Sequence, residues 1–93
     1  MATMIIFHEV KSGDHWAEAW RKGKGSRHEM FARYGIRART FRDPKNLEST
    51  GVMLEITDMA KWQTFMDSDE VKKAMAEDGL KLDTMRMLIE FTP

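Results

Sequence analysis

The sequence predicts an α+β domain whose elements follow the order β-α-β-β-α-β. Four short segments alternate apolar and polar residues with a period of two, and two longer regions repeat their apolar residues at helical spacing. Capping residues and glycines separate these segments at the expected boundaries. This order forms a four-stranded antiparallel sheet with both helical regions on one face.

Composition bounds the class of protein. Ninety-three residues suffice for one domain, which we place at 1–93. Fifteen basic residues balance fifteen acidic ones, which disfavours nucleic acid and anionic membranes as partners. The chain has no cysteine, which removes disulfides, thiolate catalysis and cysteine-ligated zinc. The apolar run 4–7 is too short for a signal peptide or a membrane span, so we expect a cytoplasmic protein.

The first strand is predicted over residues 3–11, which are rich in β-branched and aromatic types. Alternation places Met4, Ile6, His8 and Val10 on one face and Ile5, Phe7 and Glu9 on the other. Both faces are partly apolar. Either set is therefore compatible with packing against the helices.

The first helical region follows the turn 12–14, and Trp16, Ala19 and Trp20 mark its buried side. The segment 22–25 interrupts this helix, because each glycine costs ~1 kcal/mol in a helix interior. A capping box at Ser26 and Glu29 then starts a second helix. Its inward residues are Met30, Phe31 and Tyr34, and Gly35 ends it.

The second half of the chain repeats the pattern. Strands are predicted over 36–42 and 52–57, joined by a loop over 43–51 into a hairpin, and a last strand over 84–91. Asp58 caps a helix that Ser68 restarts and Gly79 ends. The predicted buried stripe of this region is Met59, Trp62, Phe65, Met66, Val71, Ala74 and Met75.

The sheet face opposite the helices has no cover from its own chain. It carries Phe41, Met53 and Leu88 together with one of the two alternating sets of the first strand. An apolar face of this size marks an interaction surface, and a second copy of the chain is the simplest partner. We therefore expect a homodimer.

Nearly the whole chain resembles the dimeric α/β-barrel superfamily. The segments that carry the resemblance are 8–10, 14–16, 28–36, 40–43, 54–55, 58–59, 65–68 and 74–79. They are similar to the small stand-alone antibiotic-biosynthesis monooxygenases and polyketide cyclases. The resemblance implies a ferredoxin-like protomer whose sheet faces that of a second copy and encloses a ligand cavity. It also implies activities that range from cofactor-independent oxygenases and cyclases to isomerases and haem-binding enzymes.

His8 is the first candidate for a catalytic residue. It lies mid-strand in an apolar stretch, and the resemblance implies that a histidine here faces the cavity as a general base or ligand contact. The alternative is a packed histidine with one hydrogen bond. His28 is a candidate for the cavity mouth, although its position between Arg27 and Glu29 also fits a solvated helix surface.

Arg39, Glu55 and Arg86 place charges on the face opposite the helices. Between facing sheets such charges must pair or bind a polar ligand, so Arg39 and Arg86 are predicted to hold an oxyanion with His8 as base. A purely structural Arg–Glu network is the alternative. The ligand is expected to be a small organic molecule, aromatic or anionic. Its predicted binding residues are His28, Phe41, Met53, Glu55 and Leu88.

Other chemistries find little support. The four serines, at positions 12, 26, 49 and 68, fall at turns or caps and form no triad. The absence of a GxGxxG or similar motif predicts no cofactor, and His15 with Glu18 supplies too few ligands for a metal. An RNA-recognition domain shares the strand order, but its stacking aromatics are missing from GVMLEIT. An enzyme and a non-catalytic ligand-binding or stress-related dimer both remain open.

Overall fold

The computed structural model describes residues 1–93 and has the predicted element order. Strands β1 (Ala2–Val10), β2 (Ile36–Asp43), β3 (Asn46–Ile56) and β4 (Leu80–Ile89) form one antiparallel sheet in the order β2-β3-β1-β4. Helices α1 (Gly13–Ala19), α2 (Arg27–Ala32), α3 (Met59–Asp67) and α4 (Asp69–Glu77) cover one face of the sheet. The predicted ferredoxin-like α+β fold is confirmed. None of the four helices is long and apolar enough to cross a bilayer.

The helix boundaries follow from local chemistry. Each helix begins at an N-cap side chain that accepts a backbone N–H of the first turn. These caps are Ser12, Ser26, Asp58 and Ser68. Gly35 and Gly79 take the left-handed conformation, with φ of 71° and 74°, and turn the chain into β2 and β4.

The hairpin of β2 and β3 is confirmed, but the predicted loop over 43–51 is wrong. Asp43 pairs with Asn46 across a tight turn, and the Asp43 carboxylate accepts the Lys45 N–H at 2.8 Å. Residues 46–51 are rich in polar and turn-forming types, yet they run as a strand because Thr50 and Gly51 pair with both neighbouring strands, Ser49 with β1 and Asn46 with β2. Sheet pairing thus overrides the local preference.

The last strand begins at Leu80, four residues before the predicted start. Phe7 pairs with Arg86 and Glu9 with Lys81, so the four β4 residues 82–85 lie opposite His8 alone. This bulge breaks the alternation that marks a strand in sequence. The Thr84 hydroxyl stabilises the bulge by accepting the Glu9 N–H at 2.9 Å.

The structure selects the face of β1 that meets the helices. Met4, Ile6, His8 and Val10 are buried against the helices, whereas Phe7 and Glu9 are exposed on the other face. The three tryptophans belong to the core, as predicted. Met59 does not, because it lies in the first turn of α3 and is 44% exposed.

The opposite face of the sheet, which we call the open face, is built of rows of paired residues. One row crosses all four strands as Phe41, Gly51, Phe7 and Arg86. The next crosses them as Arg39, Met53, Ile5 and Leu88. Phe7 and Phe41 are each 46% exposed and Leu88 is 48% exposed, so the middle of this face is apolar and uncovered.

Candidate functional site

A small cavity lies between the sheet and the helices, and we call it the helix–sheet cavity. Its volume is about 60 Å³, and 14 of its 17 lining residues are hydrophobic. The other three are His8, Arg27 and Asp78. A few convergent polar groups in an apolar enclosure are typical of small-molecule sites.

His8 reaches this cavity from the middle of β1, opposite the β4 bulge. The residue is only 6% exposed, and its Nδ1 lies 2.6 Å from the Thr50 hydroxyl of the neighbouring strand. Burial lowers the pKa of the imidazole below 6.5, outweighing the backbone of His8 itself and the charge of Asp78, which both raise it. This shift favours the neutral imidazole, which has an unprotonated nitrogen that accepts a hydrogen bond or a proton.

Trp16 adds an unused hydrogen-bond donor. The residue is 2% exposed and lines the cavity, and its indole Nε1 has no hydrogen-bond partner. Its ring meets that of His8 edge to face, with the centroids 6.0 Å apart. A buried donor left unpaired costs about 1–3 kcal/mol, and an acceptor on a bound molecule would recover that cost.

Arg27 and Asp78 contribute a closed ion pair at the cavity wall. Arg27 Nε and Nη2 each donate to a different Asp78 oxygen at 2.8 Å, and Nη2 also contacts Glu77 at 3.5 Å. The hydrogen bonds to Asp78, more than its charge, raise the pKa of Arg27 despite the opposing effect of burial. Since the guanidinium is engaged, this pair holds α2 to the end of α4 instead of offering a free positive charge.

The size of the cavity limits what fits without rearrangement. An engineered protein cavity of about 150 Å³ holds benzene, so the present 60 Å³ is too small for an aromatic ring. Five methionines line it, however: Met30, Met66, Met75, Met85 and Met87. Their side chains adopt new rotamers at low cost, and Met87 is already 44% exposed at the edge strand.

The predicted site residues do not converge. His8 faces the helices, whereas Arg39, Phe41, Met53, Glu55, Arg86 and Leu88 belong to the open face. The expectation that His8, Arg39 and Arg86 serve one cavity is therefore wrong for a single chain. Arg39 and Arg86 also sit on opposite edge strands, about 14 Å apart over three strand spacings.

Two candidate charges of the open face, Glu55 and Arg39, have local partners. Arg37, which was not a candidate, pairs with Glu55 at 3.7 Å, and the Arg39 guanidinium lies 5.7 Å from the Phe41 ring centroid. These contacts match the structural alternative for Glu55 and place Arg39 in a cation–π contact. The structure thus gives these residues packing roles in the single chain.

His28 lies outside the helix–sheet cavity. Its ring packs edge-on against Trp20, with centroids 5.0 Å apart. Burial, and secondarily the charge of Lys22, lowers the pKa of His28. No group of three or more His, Cys, Asp or Glu side chains is arranged to hold a metal ion, and the His15 Nε2 is 2.7 Å from the Glu77 carbonyl.

Sequence reasoning missed the contacts around His8 and the ion pair of the cavity wall. Thr50 lay in the predicted loop, and only the register His8↔Thr50 reveals its role. Trp16 was assigned to the core, which is correct for its ring but overlooks its N–H. No local pattern joins Arg27 to Asp78, which are 51 residues apart.

Known structures match the whole fold. A crystal structure of an antibiotic biosynthesis monooxygenase superposes with a TM-score of 0.69 and 15% identity, covering 100% of this chain and 99% of that one. A provisionally assigned antibiotic biosynthesis monooxygenase from Nitrosomonas europaea gives a TM-score of 0.71 and 13% identity, with coverage of 99% and 98%.

The chain shares their fold. The resemblance predicted from the sequence is thus confirmed at the level of architecture, and identity this low carries no more than the fold. No protein-family model matches the sequence. No curated protein matches it either.

Proposed function

We propose that the protein binds a small, mainly apolar molecule with an acidic hydroxyl group in the helix–sheet cavity, where His8 accepts the proton. One observation carries this proposal. The ring of buried His8, whose pKa is lowered, meets edge to face the ring of Trp16, whose buried indole N–H is unpaired, and the other polar side chains of the cavity, Arg27 and Asp78, bind each other. A phenol or enol satisfies both groups, because its O–H donates to the imidazole and its oxygen accepts from the indole. A phenol ring enters only when methionines of the cavity wall change rotamer, since the cavity as it stands is too small for it.

The same pair supplies a base and an oxyanion donor for ionisation of the ligand. His8 takes the proton, and the Trp16 N–H stabilises the oxygen that becomes negative, in a site of low dielectric. A phenolate or enolate is electron-rich enough to react with O₂ directly, as in the conversion of an activated CH₂ and O₂ to C=O and H₂O. We therefore propose cofactor-independent monooxygenation as the activity, which the fold shared with named monooxygenases supports.

Ligand binding without catalysis is the second candidate function. It is favoured by the engagement of Arg27, which leaves the cavity with no free cation to stabilise a further intermediate. Oxygen consumption with an electron-rich phenol separates the two candidates, since a binding protein consumes none above the buffer rate. The cyclase implied by the sequence resemblance would likewise leave O₂ untouched but change the substrate.

Phenol and toluene test the binding proposal, because the two molecules have the same shape and only phenol has an O–H. Phenol titrated into the protein should shift the indole N–H resonance of Trp16, and toluene should bind more weakly. Trp16→Phe removes the donor but keeps a ring. Trp20→Phe, which makes the same change at another tryptophan of the cavity wall, is the control. Equal binding of phenol and toluene, or an unshifted indole resonance at saturation, would contradict the proposal.

A homodimer built through the open face completes the proposal. Gly51 has no side chain between Phe7 and Phe41, and the hollow over it has a volume of about 390 Å³. Sheets pack face to face at about 10 Å, so side chains of a second copy would fill this hollow. Phe41, Met53 and Leu88, which were predicted to bind the ligand, would then be contacts of the dimer interface instead.

A further inference from the structure

Thr50 makes two short contacts with His8. Its hydroxyl lies 2.9 Å from the His8 carbonyl oxygen and 2.6 Å from the His8 Nδ1. Thr50 is 5% exposed, so water does not compete for its hydroxyl. The register places the two residues directly opposite each other on β1 and β3.

A hydroxyl has one proton, and the carbonyl contact requires it. Two oxygens 2.9 Å apart repel each other unless a hydrogen lies between them, and the carbonyl has none to give. The Thr50 hydroxyl therefore donates to the His8 carbonyl. The contact at Nδ1 then needs its hydrogen from the imidazole, with the hydroxyl oxygen as acceptor.

We infer that Thr50 is a positioning residue, which holds His8 as the Nδ1–H tautomer and leaves the lone pair of Nε2 for a ligand. Free histidine prefers the opposite tautomer, so the protein must impose this one. Nε2 makes no hydrogen bond within the chain. The tautomer itself does not depend on the proposed function. Its consequence, that the ligand must donate a hydrogen bond to Nε2, rests on that function.

Nitrogen NMR of the ¹⁵N-labelled protein reads the tautomer without any ligand. At pH 8 we expect Nδ1 of His8 to resonate as a protonated nitrogen and Nε2 as an unprotonated one. Thr50→Val keeps the shape but removes the acceptor, and we expect it to shift His8 toward Nε2–H. Thr50→Ser retains a hydroxyl and should restore the Nδ1–H form, which a merely structural role of Thr50 would not predict.

Phenol binding gives the second readout. In folded Thr50→Val the protonated Nε2 cannot accept, so phenol affinity should fall roughly tenfold while toluene affinity is unchanged. A wild-type protein with His8 as Nε2–H overturns the inference, even if phenol binds and even if Thr50→Val does not fold. A tautomer that is the same in wild type and Thr50→Val also overturns it. Failure of phenol to bind a protein with the Nδ1–H tautomer rejects the proposed function alone.

Discussion

Arg27 and Asp78 form a two-point ion pair, in which Nε and Nη2 of the guanidinium each lie 2.8 Å from a carboxylate oxygen. The pair joins the start of α2 to the residue after α4 and flanks the helix–sheet cavity. The Asp78 side chain is 7% exposed and that of Arg27 is 17% exposed. Because both charges are withdrawn from water, removing one leaves the other poorly solvated.

We predict that Asp78→Asn lowers the free energy of unfolding by about 3 kcal/mol. This value is at the lower end of the range for a broken buried ion pair, because Arg27 keeps some contact with water. Urea denaturation at pH 7 measures the change. Glu77→Gln is the matched control, since Glu77 contacts the same guanidinium at 3.5 Å but is 53% exposed. It should cost less than about 1 kcal/mol. Equal losses of unfolding free energy in Asp78→Asn and Glu77→Gln would show that burial of the Arg27–Asp78 pair does not determine its contribution to stability.

Stability should depend on pH through His8. Its pKa in the folded protein lies below the ordinary 6.5 because of burial, so the unfolded chain takes up the proton first as the pH falls. The contribution of the neutral imidazole to the free energy of unfolding is therefore complete above about pH 7. It is lost as the pH falls from about 6.5 toward the lowered pKa. The charge of Asp78 opposes this shift.

Urea midpoints of wild type and His8→Gln between pH 8 and pH 5 measure this dependence. We expect the wild-type midpoint to fall more steeply below pH 6.5 than that of the variant. The pKa of His28 is also lowered, so His28→Gln should remove part of the pH dependence of the urea midpoint, but less than His8→Gln does. Parallel curves for wild type and His8→Gln would mean that His8 is not held neutral.

The fold was predictable because its signals are local and repeated. Caps at Ser12, Ser26, Asp58 and Ser68 and stops at Gly35 and Gly79 lie where the sequence places them. The errors arise where pairing decides the outcome. Residues 46–51 have turn-forming composition but join two neighbouring strands, and the β4 bulge hides a strand that starts at Leu80.

The site was less predictable because a strand residue changes face with a shift of one position. His8 stands out in the sequence, but both faces of β1 are apolar there, and only the helices decide which one is inside. Grouping His8 with Arg39 and Arg86 assumed the wrong face. Thr50 contacts the His8 ring, and the charge of Asp78 acts on its pKa. Both residues are far from His8 in the sequence, so no local sequence pattern predicts these interactions.

The open face provides the last prediction, which concerns self-association. Phe41 lies beside the Gly51 hollow and is 46% exposed, so Phe41→Asp leaves the single chain folded but puts a charge into the proposed dimer interface. Burying a phenylalanine contributes about 1.5–3 kcal/mol, and two-fold symmetry counts it twice, so the dimer dissociation constant should rise at least about a hundredfold. Sedimentation equilibrium should show a dimer for wild type at micromolar concentration and a monomer for the variant. Met59→Asp is the control, because Met59 has similar exposure on the helix side and should leave the dimer intact. A compact wild-type monomer, or a Phe41→Asp dimer of unchanged affinity, would exclude the open face as the interface.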